Sequence, residues 1–387
     1  MQIVFSDNIL SVIILVCFIV MLVVQLAYYW GVFSKVAFYR KKPSMKADDA
    51  LEPVSIVLWT RDSYDYLSEL LPMLLKQDYP DFEIVVVNDC SEDCTEEYLK
   101  DLERTEPKIK PVFLRQQLNF FNGKKFPLSM GIKSAKNDLL VLTEVNCKPD
   151  SGQWLRSLVD CYKRSTEVVI GYSPLMATKG LLNRIMRFDS LQQGLLYLSS
   201  ALLGHPYRGT AKNLSYRKEL FYRNKGFTSH YTATVGDDDL FVGQVATKKN
   251  TEVLIDADNA IRSVPTQSLA LWMRQKSRRY SAVPQYGSRA KISQGVFVWS
   301  QFLFYASFIA LLCMPPAFSL SFGAIYYVPI LAFFFLLRFG TQMFICHKAS
   351  NRLGEKGLLS GLILYDFLLA ILTPLLRLMG RMKIGVE

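Results

Sequence analysis

Apolar residues are concentrated in long runs at the two ends of the chain. Residues 9–33 are apolar except for Ser11 and Gln25, a length that crosses about 30 Å of hydrocarbon as a helix. Residues 296–314 and 324–337 form an apolar pair, and 358–376 is a last apolar run. We predict three membrane spans. For the last run, both a fourth span and a helix lying in the membrane interface remain open.

Basic residues mark the orientation of these spans. Lys35, Arg40, Lys41, Lys42 and Lys46 follow the first apolar run at once, and positive charge after a span favours the cytoplasm for the segment that follows. The run lacks a basic start and an Ala-x-Ala cleavage site, so it is predicted to be a retained anchor.

Between the membrane segments, short β-rich runs alternate with helical ones. The pattern predicts strands at 54–59, 83–87, 111–114 and 139–143, and helices at 63–76, 95–103 and 122–134. Such alternation indicates an α/β domain whose mostly parallel sheet is covered by helices on both faces. The predicted division is an anchor (1–35), a basic linker (36–52), the α/β domain (53–285) and a C-terminal membrane segment (286–387).

Polar residues follow three of the predicted strands. They are Thr60-Arg61-Asp62, Asn88-Asp89 and Glu144-Val145-Asn146, at the strand ends where ligands bind in parallel sheets. The first strand is followed by neither a Walker-type glycine loop nor GxGxxG, so a dinucleotide fingerprint is not supported.

Three adjacent carboxylates, Asp237, Asp238 and Asp239, stand between Gly236 and an apolar run. Like charges this close raise one another's pKa. We predict a loop that closes onto a buried helix and supplies a general base to a transfer reaction. An exposed acidic turn is the alternative. The helical segment 181–203, with Arg184 and Arg187, is likewise open between an interfacial helix and a core-packing one.

The composition places the positive charge at the membrane. The chain has 45 Lys and Arg against 34 Asp and Glu, a net charge of +11, with 50% hydrophobic residues and mean hydropathy +0.16. Lys and Arg beside membrane spans meet anionic headgroups, and no separate basic domain is present. We therefore expect a membrane partner and no nucleic acid. The seven cysteines form no CxxC pair, which favours reduced thiols.

Six ordered segments carry a resemblance to a known family. They are residues 54–57, 85–93, 142–149, 208–217, 236–241 and 275–280. Together they resemble the family 2 glycosyltransferases, whose nucleotide-sugar domain has the GT-A fold, over about residues 53 to 285. Glu144-Val145-Asn146 stands where that family has its Asp-x-Asp motif. Gln275, Arg278 and Arg279 stand where it has Gln-x-x-Arg-Trp.

The resemblance implies a GT-A domain with one N-terminal and two or three C-terminal transmembrane helices. It implies an inverting glycosyltransferase in the bacterial inner membrane, with its catalytic domain in the cytoplasm. The donor would be a nucleotide-sugar, expected to be a UDP-sugar, and the acceptor a lipid-linked or membrane-proximal glycan. The alternative is a weak or inactive relative that binds nucleotide or glycan, or scaffolds an assembly.

Site roles carried over from the family fall on five groups of residues. The general base would be Asp237, with Asp238 beside it. A divalent metal, Mg²⁺ or Mn²⁺, would meet Glu144 and Asn146, although the Asn amide is a weaker ligand than a carboxylate. Lys124 or Lys125 would add charge near the phosphates. Thr60, Arg61, Asp62, Asp89, Lys125 and Glu144 would hold the nucleotide-sugar, and Asn213, Asp239, Gln275, Arg278 and Arg279 the diphosphate or acceptor.

Overall fold

The computed structural model describes residues 2–40, 51–115, 123–230, 235–236, 238–313 and 324–382. Its centre is a seven-stranded sheet. In chain order its strands are β1 (Val54–Thr60), β2 (Phe82–Asp89), β3 (Ile109–Leu114), β4 (Leu139–Leu142), β6 (Val168–Gly171), β7 (Leu214–Arg217) and β8 (Thr251–Leu254). Two short strands, β5 (Cys147–Pro149) and β9 (Ile261–Ser263), pair separately.

Strand order in the large sheet is β3-β2-β1-β4-β7-β6-β8. Strands β1 to β4 are parallel, β7 runs antiparallel to both of its neighbours, and β6 and β8 are parallel. The four predicted strands are confirmed, with ends displaced by two residues or fewer. The carboxyl ends of β2, β1 and β4 therefore lie side by side at one edge.

Helices cover both faces of the sheet because the strand side chains alternate. In β1, Ile56 and Leu58 pack with α3 and α6 on one face, whereas Val57 packs with α5 and α7 on the other. These helices are α3 (Tyr64–Leu75), α4 (Thr95–Thr105), α5 (Lys125–Ser134), α6 (Trp154–Val159), α7 (Leu181–Leu202), α8 (Lys218–Arg223), α9 (Asp239–Val245) and α10 (Leu269–Tyr280). They follow α1 (Gln2–Ala27), a π-helical segment (Tyr28–Phe33) and α2 (Ser34–Ala37).

The C-terminal segment contains α11 (Ser288–Cys313), α12 (Ala324–Arg352) and α13 (Leu362–Arg381). Four stretches in the described ranges are long and apolar enough to span a membrane: Ile9–Ala37, Ser288–Cys313, Val328–Arg352 and Leu359–Arg381. The last apolar run, left open by the sequence, is therefore long enough to cross.

A buried polar network joins these helices. The Asp366 carboxylate on α13 accepts hydrogen bonds from Gln301 (2.7 Å), Tyr305 (2.7 Å) and Gln342 (2.6 Å), and pairs with Arg338 at 2.9 Å. Gln192 of α7 donates to the same carboxylate at 3.3 Å. Because a buried carboxylate is costly unless it is paired and hydrogen-bonded, this set of contacts fixes α11, α12 and α13 against α7.

Helix α7 is a core helix, one of the two alternatives that the sequence left open. Fourteen of its residues are buried, including Arg187, Asp189 and Gln192. Arg187 pairs with Glu355, beyond α12, at 2.8 Å. The helix thus lies between the sheet and the C-terminal apolar helices and fixes the position of one relative to the other.

Candidate active site

The chain turns sharply just after β1 and just after β2, and the two turns are joined by hydrogen bonds. Asp62 and Cys90 have φ of +45° and +53°, a conformation that non-glycine residues rarely adopt and that often marks functional sites. Asp62 Oδ1 accepts a 2.7 Å hydrogen bond from the Glu92 amide, and the Asp62 amide donates to Ser91 at 3.0 Å. The side chain of Asp62 is therefore held in place just beyond the carboxyl end of β1.

Asp89, at the end of β2, has two partners from β1 and its end. Trp59 Nε1 donates to Asp89 Oδ2 at 3.2 Å, and Arg61 Nη1 lies 3.9 Å from the same oxygen. Thr60 and Asn88 are register partners between β1 and β2 and are buried. Within the described residues, Thr60 Oγ1 and Asn88 Nδ2 have no hydrogen-bond partner. The predicted residues at these two strand ends thus form one group.

Glu144, just beyond β4, lies among cations. Its Oε1 is 2.7 Å from Lys124 Nζ. Burial raises the pKa of Glu144, but the charges of Lys124, Lys212 and Arg279 outweigh it and lower the pKa to about 2. Glu144 is therefore ionised at neutral pH, and its charge is balanced by these three neighbours.

A cavity of about 370 Å³ opens beside this cluster. Three predicted site residues line it: Asn146, Gln275 and Arg279. Its other charged lining residues are Asp189, Arg208, Lys212 and Lys276. Four cations against one carboxylate favour an anionic ligand, and Arg and Lys are the side chains that recognise phosphate oxygens.

Two of the cations in this cavity have buried acidic partners. Lys276 contacts Asp189 of α7, and its ammonium lies 5.0 Å from the centre of the Trp272 ring. Arg208 Nε donates to Asp239 Oδ1 at 3.1 Å. Neither Lys212 nor Arg279 has a hydrogen-bond or ion-pair partner for its side chain among the described residues. These two are the cations most available to a ligand.

Of the three adjacent carboxylates, Asp238 is half-buried and Asp239 is buried, so these two do not lie in an exposed turn. Asp238 accepts hydrogen bonds from the Asp239 amide at 2.9 Å and the Ala211 amide at 2.8 Å, which caps α9. Asp239 is buried, and its second oxygen accepts from Tyr286 at 2.7 Å. Burial raises the pKa of Asp239 to about 6. Asp237 lies outside the described residues.

Other predicted site residues lie away from the cavity lining. Asn213 is buried and bonds Trp154 Nε1 (3.1 Å) and the Tyr172 carbonyl (2.9 Å) with its amide, so its side chain supports the core. Lys125 is buried at the start of α5. Arg278 is exposed on α10, next to the Arg279 that lines the cavity.

The described residues do not fit a divalent metal as they stand. Mg²⁺ and Mn²⁺ require several oxygen ligands. Within the described ranges, no group of three or more His, Cys, Asp or Glu could hold a metal ion. The Glu144 carboxylate is paired with Lys124, and Asn146 contributes only an amide. The positive charge that a metal ion would supply beside Glu144 is supplied by Lys124, Lys212 and Arg279.

Sequence reasoning missed Arg208, Lys212 and Lys276 as individual site residues, although all three lie in segments that carry the resemblance. Their roles depend on partners distant in the chain. Asp189, which contacts Lys276, is 87 residues away, and Asp239 is 31 residues from Arg208. The sequence shows that a basic residue stands near a motif, but its acidic partner can be identified only from the folded structure.

The chain is similar to known proteins over part of its length. Residues 55–216 match the model of glycosyl transferase family 2. These residues, fewer than half of the chain, are similar to that family. They contain β1 to β4, β6 and most of β7, with the strand-end residues Asp62, Asp89 and Glu144.

Solved structures show the fold beyond this segment. The mannosyltransferase PcManGT from Pyrobaculum calidifontis, solved in complex with GDP-Man and Mn²⁺, superposes with a TM-score of 0.58 at 17% identity. The match covers 90% of this chain and 100% of that one. The fold is therefore GT-A, with helices long and apolar enough to span a membrane at both ends of the described chain.

Two curated relatives match shorter stretches. An uncharacterized glycosyltransferase of Haemophilus influenzae is 24% identical over 115 residues, which cover 30% of this chain and 34% of the relative. The poly(ribitol-phosphate) beta-N-acetylglucosaminyltransferase TarS of Staphylococcus aureus is 33% identical over 92 residues, 23% of this chain and 15% of the relative. The chain thus spans about a third or less of the length of these relatives.

Proposed function

We propose that this chain is a membrane-bound glycosyltransferase that transfers a sugar from a nucleotide-sugar to a lipid-linked or membrane-proximal acceptor. The observation that carries the proposal is the cation-lined cavity of about 370 Å³ that is lined by Asn146, just beyond β4, and by Lys212 and Arg279, whose charges also act on Glu144. Support comes also from PcManGT, which was solved with GDP-Man, and from TarS, named as an N-acetylglucosaminyltransferase.

The nucleotide is assigned to the strand ends. Asp62 and Asp89 are hydrogen-bond acceptors at the ends of neighbouring parallel strands, where base and ribose hydroxyl and amine groups would find partners. Trp59 and Arg61 orient Asp89. The diphosphate would then lie toward Lys212 and Arg279, whose charges neutralise the leaving group. A UDP-sugar remains our expectation for the donor.

Among Asp237, Asp238 and Asp239, we assign the general base to Asp237, because the other two carboxylates already accept hydrogen bonds on both oxygens. Both oxygens of Asp238 accept backbone amides, and both oxygens of Asp239 accept from Arg208 and Tyr286. Asp237 is the carboxylate of the three that we assign to the acceptor. In the reaction, the acceptor oxygen bonds to the anomeric carbon, the bond from that carbon to the diphosphate breaks, and the acceptor proton passes to Asp237. Direct displacement inverts the anomeric centre.

A divalent ion at Glu144 and Asn146 remains a prediction from the resemblance. It would require Lys124 to release Glu144. The catalytic domain is proposed to lie in the cytoplasm at the bacterial inner membrane, because basic residues follow the first span.

The experiment is a screen of nucleotide-sugars with the full-length protein in detergent, measuring the nucleotide released with and without membrane lipid extract. Release from one donor, stimulated by the extract, supports the proposal. Nucleotide binding without release from any donor favours the alternative of an inactive relative, for which the Glu-Val-Asn triplet is the supporting feature.

A further inference from the structure

A second and larger cavity, of about 730 Å³, lies on the other side of the Arg208–Asp239 pair. Arg208 lines the cation-lined cavity and Asp239 lines this one. Tyr207 and Tyr286, whose rings are 5.9 Å apart, line the larger cavity beside Asp239. The two cavities therefore adjoin the two partners of one buried ion pair.

The larger cavity lies where two membrane helices end. Val32, from the first span, and Arg289, Ala290 and Ser293, from the start of α11, contribute to its lining. The two helices pack closely here, since Tyr28 donates to the Ser293 carbonyl at 2.6 Å. Lys35 lies in the last turn of the first span and Arg40 follows it, and Arg289 and Lys291 begin α11. This level suits lipid headgroups, because Lys and Arg at helix ends meet them there.

The charges that line the cavity favour an anion. Lys248 and Arg289 line it, with His205 beside them. Neither Lys248 nor Arg289 has a hydrogen-bond or ion-pair partner for its side chain within the described residues. The one carboxylate in the lining, Asp239, already accepts from Arg208 and Tyr286. Two unpaired cations therefore face a space at headgroup level.

Gly204 lets Lys248 take this position. Its φ is +85°, and a Cβ added there would lie 2.8 Å from Lys248 Cδ. A glycine is required both by the backbone conformation and by the close approach of the lysine stem. The stem crosses the end of α7 at Gly204, and the lysine contributes to the lining of the cavity.

We propose that this cavity binds the phosphate of a lipid-linked acceptor whose hydrocarbon chain lies along the first span and α11. Lys248 and Arg289 bind the phosphate, and the rest of the acceptor reaches past the Arg208–Asp239 pair to the donor. The inference rests on the proposed function, because it assigns an acceptor class to that reaction. Proximity to the donor cavity distinguishes an acceptor from a bulk phospholipid, for which a surface groove would suffice.

The test is photolabelling of the full-length protein in nanodiscs of neutral phospholipid. The probe is a long-chain alkyl phosphate that bears a diazirine in its chain, and the matching alcohol is the control. Mass spectrometry of the labelled peptides is expected to find label in residues 28–33 or 286–296. Lys248→Glu and Arg289→Glu are expected to lower the labelling at least fivefold, whereas Lys249→Glu and Lys291→Glu, which change lysines outside the lining, leave it unchanged.

Several results would overturn the inference. The first two are label in other peptides and equal labelling by the alcohol control. Full competition by phosphatidylglycerol would indicate a general phospholipid site. Full competition by millimolar inorganic phosphate would indicate a site for free phosphate. UDP titration of Lys248→Glu serves as the folding control and is expected to match the wild type. Donor turnover with a water-soluble acceptor, together with an unlabelled cavity, would reject this inference and leave the proposed function standing.

Discussion

Arg208 Nε donates to Asp239 Oδ1 at 3.1 Å, and both side chains are about 5% exposed. This contact connects the segment before β7 to α9, and it lies between the two cavities. Arg208 also donates to Gln193 of α7 at 3.1 Å. The pair therefore holds the acidic run, the buried helix α7 and the cation-lined cavity in one arrangement.

Breaking this pair is expected to destabilise the protein strongly. Arg208→Met leaves a buried carboxylate without its cation, which costs about 3–5 kcal/mol for buried pairs. Thermal unfolding in detergent measures the change. The control is Glu96→Gln, which removes an exposed pair with Lys100 and is expected to change the free energy of unfolding by about 0.5 kcal/mol or less. Equal effects of the two substitutions would show that the buried pair has no special role.

The pH dependence of stability tests the environment of Asp239. Its pKa is raised from 3.8 to about 6 by burial, only partly offset by Arg208. The folded protein then holds this proton more tightly than the unfolded chain does. The contribution of Asp239 is present in full below pH 4 and is lost as the pH rises from about 4 to 6.

The measurement compares melting temperatures of the wild type and Asp239→Asn between pH 4 and 8. The wild type is expected to lose stability relative to the variant as the pH rises to about 6, with no further difference above it. A relative gain over the same interval would mean that Arg208 holds the pKa below its ordinary value.

Substitutions of Arg278 and Arg279 test whether the family motif or the cavity lining identifies the arginine that binds the diphosphate. The family motif assigns the arginine role to Arg278, whereas Arg279 lines the cavity. Loss of one charge-assisted contact to phosphate is worth about 1.5 kcal/mol or more, which is about tenfold in affinity. Arg279→Ala is therefore expected to weaken UDP binding about tenfold, and Arg278→Ala by less than threefold. Calorimetric titration measures both, and the reverse order would favour the motif assignment.

Metal removal tests the charge balance around Glu144. Because Lys124, Lys212 and Arg279 already surround this carboxylate, UDP binding is expected to persist in EDTA, about tenfold or less weaker than with Mn²⁺. Lys212→Ala, in EDTA, is expected to weaken binding further. A loss of a hundredfold or more on metal removal would show that an ion is coordinated despite the Lys124 pairing.

The sheet could be predicted because its signals are local. Strand β1 consists of β-branched and large apolar residues and is followed by an amphipathic helix, with Leu67, Leu70, Leu71 and Leu74 buried at helical spacing. Asp62, Asp89 and Glu144 were found for the same reason, since each follows a strand. Because β1, β2 and β4 are parallel neighbours in the sheet, these three residues lie at the same edge.

The rest of the site depends on tertiary contacts. Periodicity does not reveal that Arg187, Asp189 and Gln192 of α7 are buried, because their partners Glu355, Lys276 and Asp366 lie far along the chain. Asp239 was assigned to the acceptor or diphosphate from its motif, but its two oxygens are taken by Arg208 and Tyr286. The larger cavity is built from segments that are far apart in the chain, and of the cations that line it neither Lys248 nor Arg289 lies in a motif.

The central claim is that the acidic run serves transfer from a nucleotide-sugar, with Asp237 as base. The most direct measurement is nucleotide release by the full-length protein and by Asp237→Asn, with Asp101→Asn as an exposed control on α4 and UDP titration as the check on folding. The account predicts at least a hundredfold lower turnover in Asp237→Asn alone, the usual effect of a general base, with UDP affinity retained. Undiminished turnover in Asp237→Asn would contradict it.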